Sequence, residues 1–171
     1  MSKKIYCIVL LLIGNLLYSC GLNSIEYKDE FEASKIAWLN FKESSNNTYT
    51  YTVANSSWVG VSWETNISVK NGVVVQRSFE ITGTEGLPAD FPEHELQWNE
   101  TENEIDTHDN GAEPITLDEI YTKAQQHWLV RRKNTFTTFR AENDGMISTC
   151  GYGEKQCSDD CFRGVNIIRI Q

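Results

Sequence analysis

Proline is scarce and confined. All three prolines, Pro88, Pro92 and Pro114, fall within residues 83–115, which marks that stretch as a long connection rather than a regular element. Basic charge is short as well. The chain has 15 Lys and Arg against 24 Asp and Glu, and no Lys or Arg falls between residues 78 and 122. Phosphate backbones need a basic face, so no nucleic-acid partner is expected. There are three histidines, His94, His108 and His127. No His-Glu-x-x-His, Gly-x-Ser-x-Gly or glycine-rich phosphate motif is present, nor a Cys-x-x-Cys pair. No catalytic residue, metal or cofactor is therefore assigned. Long apolar runs are missing too. The longest candidate, "IYCIVLLLIGNLLYSC", falls short of the ~20 residues a spanning helix needs and is interrupted by Gly14 and Asn15.

That run has another use. Lys3 and Lys4 precede it, and a small residue and a cysteine follow, as in a secretory signal. Leu17-Tyr18-Ser19-Cys20 resembles the bacterial lipobox. By that resemblance residues 1–19 are a signal peptide and Cys20 is the lipidated first residue of the mature chain. Several acyl chains give stable anchoring where one is marginal. The competing reading is an ordinary signal cut near Gly21. Asn-x-Ser/Thr triplets at Asn46, Asn55, Asn66 and Asn99 are glycan sites only in a eukaryotic setting. The expected location is the cell envelope, on the periplasmic face of the outer membrane, with the membrane itself as one partner through the lipid.

Residues 20–29 read as a tether and 30–171 as one domain. "DEFEASKIAWLNFKES" spaces Phe31, Ser34, Trp38 and Phe41 as one helical face, with Ile36 and Leu39 widening it. Period-two alternation follows in "TYTYTV" and "WVGVSWETNISV", where Trp63 continues the apolar face of Val59 and Val61. Asn71-Gly72 turns the chain into "VVVQRSFEI", completing a three-stranded meander. After the acidic loop, Thr116 and Glu119 spell a capping box. The second helix is expected to close at Arg131, Arg132 and Lys133, where cations suit its dipole. "NTFTTFRAE", "MISTC" and "GVNIIRI" read as three more strands, the last two forming a hairpin around a cysteine-rich loop. The expected fold class is α+β, with two helices packed on one face of an antiparallel sheet of about five to six strands.

The segments "AWLNFK", "YTYT", "ISVKNGVVV", "TLDEIYTKA" and "GVNIIRI" together resemble a bacterial family of secreted and lipid-anchored proteins, the domain-of-unknown-function 6174 family. The resemblance covers about residues 35–170 and implies a fold and a location, not a reaction. Family members usually carry a Gly-Tyr-Pro-like turn before the last strand. Here "CGYGEKQCSDDC" stands in its place.

Outside the cytoplasm thiols oxidise, so the terminal cysteines are expected to form one disulfide. Cys150 with Cys161 is the best-placed pair if they flank the strand ends, and Cys157 with Cys161 is the runner-up. Asp159 and Asp160 read as solvated turn acids, not an acid–base pair. Trp98, alone among acids, and Trp58, opposite in phase to Trp63, are candidate contacts for an envelope protein partner. The expected function is a lipid-anchored binding or interaction module. One alternative is a secreted hydrolase using His94, His108 and nearby acids. The other is a calcium-dependent adhesion module on Asp106, His108, Asp109 and Asn110, though His108 and Leu117 both break the EF-hand pattern.

Overall fold

The computed structural model describes residues 25–157 and 161–171. The expected signal peptide and lipidation site, Cys20, lie outside these, as do Asp159 and Asp160. Helix α1, Lys28–Ser44, follows a left-handed residue at Tyr27 and carries Asp29 and Glu30 in its first turn and Lys42 in its last, in line with its dipole. It buries Phe31, Ser34 and Trp38, spaced for one face. Ile36 and Leu39 do not widen that face as expected. They are 60% and 50% exposed on the solvent side. Nor does the tether reach residue 29, because Ile25 pairs with Val130 and the helix begins at Lys28.

Strands β1 (Tyr49–Ser56), β2 (Val61–Lys70) and β3 (Val73–Thr84) form the meander. Asn71 and Gly72 have φ of 51° and 79°, the pair of positive values a two-residue type I′ hairpin demands. The acidic segment is not a structureless loop. It contains a further strand, β4 (Gln97–Thr101), paired antiparallel to β3. With β5 (Thr135–Arg140), β6 (Thr149–Glu154) and β7 (Arg163–Ile170), the sheet has seven strands in the order β4-β3-β2-β1-β7-β6-β5. The α+β class is as expected, and the strand count is higher because of β4.

Helix α2 spans Leu117–Lys123 and starts with the expected capping box: the Glu119 amide donates to Thr116 Oγ1, and the Thr116 amide donates to Glu119 Oε2 at 2.8 Å. It stops earlier than expected. Ala124–Trp128 is a π turn, closed by the Leu129 amide on the Ala124 carbonyl at 2.9 Å. Arg131, Arg132 and Lys133 therefore lie beyond the helix, and its dipole does not explain them. Arg132 instead bonds the Val130 and His127 carbonyls and lies over the Tyr152 ring.

Both helices share one core on one sheet face. Phe31, Trp38, Leu117, Ile120 and Tyr121 pack there with Tyr51, Ile67, Val69, Phe139 and Ile167. Trp63 lies on the same side but is only half-buried and outside that core, next to the bulge at Ser62/Trp63. On the opposite face Phe136 lies against Gly153 and Phe162 against Gly151, where any Cβ would collide with the ring. Those glycines let two aromatics cover the backbone of β6.

The favoured disulfide is corrected. Cys157 bonds Cys161, and Cys150 is free and fully buried, paired across the sheet with Val165. β6 continues past Cys150 to Glu154, so Cys150 is mid-strand and faces the core rather than flanking the loop. Burial pushes its thiol up to about 12. Only thiolates alkylate readily, so the native chain should resist iodoacetamide and take a label at Cys150 only in denaturant. Prompt labelling of Cys150 itself in the native chain, read by peptide mass, would contradict this placement.

Candidate functional site

Arg77 is the last cation before the long acidic stretch. From β3 it points to the helix side of the sheet, opposite Glu100 of β4. Both side chains are almost fully buried, at 2% and 1% exposure. Arg77 Nε stands 2.9 Å from Glu100 Oε2 as an ion pair, off the hydrogen-bond line, while Nη2 donates to Oε1 at 3.0 Å. A buried charge is tolerable only when its remaining hydrogen-bonding capacity is met, and here the acidic segment meets it. The Asp106, Thr107 and His108 amides all donate to the Glu100 carboxylate, at 2.8, 2.9 and 2.7 Å. Arg77 donates in turn to Asp106 Oδ1 and to the His108 and Ala112 carbonyls. Burial alone would raise the Glu100 pKa. The bonds from the His108 ring and from the His108 and Asp106 amides, with the Arg77 charge, overcome it and hold the group at about 2.

Trp98 is the second brace. Its ring stacks between Phe79 and His108, at 5.3 and 4.3 Å between centroids, and its Nε1 donates to Asn110 Oδ1 at 2.8 Å. It is half-buried and committed to its own loop, so it does not stand free as a partner anchor. Gly111 then sits at φ 89°, where a side chain is strained, and a Cβ added there would stand only 3.1–3.3 Å from Trp98, Thr65 and Phe79. The Ala112 amide donates to Thr65 Oγ1, and Tyr51 Oη donates to the Ile115 carbonyl. Burial keeps the Tyr51 hydroxyl neutral by raising its pKa.

These fastenings make residues 111–115 one wall of a cleft of about 230 Å³. Tyr51, Val53 and Val165 form its floor, Ile120 and Trp128 its other wall, and Asn55 and Glu113 add polar groups. Glu113 is engaged by Lys123. The π turn has a consequence here. The extra residue per turn shifts Trp128 relative to the α2 stripe, and the indole lines the cleft while remaining half-buried. Apolar side chains and polar groups share the surface of this concave cavity about equally, so it is more polar than the usual small-ligand site, and it is below the common ~300–1,000 Å³ range. A ring system or a single large side chain is the size it takes.

The expected catalytic and calcium groups are arranged otherwise. His94 and His108 line one open hollow with Trp98 and Asp109, while His127 is exposed in the π turn, outside that hollow. His108 Nδ1 is 2.9 Å from Glu100 Oε1, a carboxylate–imidazole pair, yet no Ser, Thr or Cys nucleophile lines that hollow besides Thr107, whose hydroxyl is bonded to Glu100 and the Glu104 carbonyl. Asp106, which would open a calcium loop, faces the Arg77 guanidinium at 3.2 Å. Among the described residues no three His, Cys, Asp or Glu side chains are grouped to hold a metal. Trp58 is 76% exposed at the β1–β2 turn. Sequence reasoning missed Arg77, Glu100, Asn55 and Trp128. The one available signal was Arg77 itself, a lone cation in β-strand phase with Phe79 and facing a run of acids. Compared with known proteins, the chain matches no family model, no curated protein and no solved structure.

Proposed function

We propose that this is a lipid-anchored envelope protein that works as a binding module, with the cleft between β1, β7 and α2 as its ligand site. The membership suggested by the resemblance to the domain-of-unknown-function 6174 family, and the periplasmic location, belong to the same proposal. The observation that carries it is the cleft, walled by a segment that a buried ion pair and a stacked tryptophan hold in place. Its lining combines the Val53, Ile120, Trp128 and Val165 side chains with polar groups from Asn55 and Glu113, which suits a small ring compound that also carries a polar group. Indole serves as a probe of suitable size, with saturation transfer from the protein as the readout. Ala112→Leu fills the cleft from its edge without cutting into the core, and it should abolish the transfer at unchanged melting temperature. Equal transfer in wild type and Ala112→Leu would reject the cleft as the site.

The Glu100–His108 pair supports a second reading, a hydrolase with His108 as base. A screen of ester and phosphate probes separates the two. Turnover that disappears in His94→Ala/His108→Ala would replace the binding reading.

A further inference from the structure

Four features meet at one end of the sheet. β1 ends there at Ser56, opposite Ser62 of β2, and the turn between them presents Trp58 and Val59, 76% and 45% exposed. β7 begins there at Arg163, where it pairs with Tyr152. β5 begins there at Thr135, opposite Glu154 at the end of β6. The described chain also enters there: Ile25 pairs with Val130 and the Glu26 amide donates to the Leu129 carbonyl at 2.8 Å, just before Arg131 and Lys133. From β1 to β5 is three strand spacings, about 14 Å, so Trp58 and the chain entry lie side by side at molecular scale.

We propose that this end rests on the bilayer and that Trp58 inserts into its interfacial layer. The inference rests on lipidation of Cys20 as proposed above. Four residues lie between Cys20 and Ile25, and the five fully extended chain steps span at most about 18 Å. An acylated Cys20 thus confines the entry point, and the strand ends beside it, to the membrane surface. Trp is the residue that favours that depth, with its ring among the acyl boundary and its N–H among headgroups. Exposed Arg131 and Lys133 can reach phosphates there, but Glu85 packs by Gly60 in the Trp58 turn and Glu154 is exposed nearby. Local charge is therefore mixed, and the attraction comes from the indole and the tether, not from electrostatics. β4 lies three strand spacings from β1, about 14 Å, and residues 85–96 leave β3 at this same end, so exposed Asp90, Glu93 and Glu95 add acids near the Trp58 turn.

The test uses the acylated full-length protein in phosphatidylcholine vesicles containing lipids brominated near the headgroup end of the chain. Bromine quenches only indoles at that depth, and Trp58→Phe identifies the contribution of Trp58. Wild type should be quenched at least about twofold more than Trp58→Phe, with little change at high salt, since screening acts on charges and not on an inserted indole. Mass and flotation with the vesicles report acylation separately. A protein that floats but shows equal quenching in both forms would overturn the inference alone and leave Trp58 for a protein partner. A protein that carries no acyl chain and does not float would overturn the inference together with the anchoring it rests on.

Discussion

Glu100→Ala should destabilise the domain by about 3–5 kcal/mol, because it leaves the Arg77 guanidinium buried without its counter-charge. The loss extends beyond the pair. Three loop amides and the His108 ring lose their common acceptor, so residues 106–108 keep only the Arg77 bonds to Asp106 and the His108 carbonyl, while Asn110 and Ala112 stay fastened to Trp98 and Thr65. Urea unfolding followed by tryptophan fluorescence measures the cost, and a change below about 1 kcal/mol would mean that water reaches Arg77 readily. The pH dependence has a definite sign. The carboxyl is held at about 2 against an ordinary 4.5, so it binds a proton less readily in the folded chain than in the unfolded one. Its stabilisation, of order 3 kcal/mol, is complete above pH 4.5 and fades as pH falls toward 2. Glu100→Gln keeps the shape and removes the titration, so this part of the acid limb should flatten in the variant. An identical acid limb in both proteins would place the acid sensitivity elsewhere.

What the sequence made legible was local. The Asn71-Gly72 turn, the Thr116 cap and the Phe31–Ser34–Trp38 spacing are each decided by a few neighbouring residues, and each appears in the fold. β4 was not legible for a physical reason. "QWNET" points a glutamate inward, and a glutamate in an inward position reads as solvent-facing unless its cation is known. That cation is Arg77, 23 residues earlier, and only the pairing of β3 with β4 brings the two together. Trp98 misled in the same way, since acids surround it in sequence whereas Phe79 and His108 surround it in space. The π turn hid because Ala124 and Trp128 still fit a four-residue helical step. One extra residue per turn leaves that spacing intact while moving the indole to the cleft. The cleft draws on β1, β7, α2 and the end of the acidic segment, so no contiguous window contains it.

Trp38→Ala is expected to cost a comparable 3–5 kcal/mol, roughly the range for truncating a fully buried large aromatic. Its indole meets Tyr49 edge-on at 5.1 Å and lies parallel to Tyr121 at 6.3 Å, and its Nε1 donates to Asp118 Oδ1 at 3.0 Å. Asp118 also takes the Lys42 ammonium at 2.7 Å, and Tyr121 Oη donates to the Ser34 carbonyl at 3.0 Å. The two helices are thus fastened to each other as well as to the sheet. Trp38→Phe keeps most of the packing and loses the bond to Asp118, a group about two-fifths exposed that water can re-solvate, so its cost should be clearly smaller. Loss of Trp38 should also act on both helices at once. Far-ultraviolet dichroism and near-ultraviolet dichroism should shift together in Trp38→Ala, as they do when unfolding stays two-state. Separate transitions would show instead that α1 can leave while α2 and the cleft wall remain, and the cleft would then need less of the fold than its packing indicates.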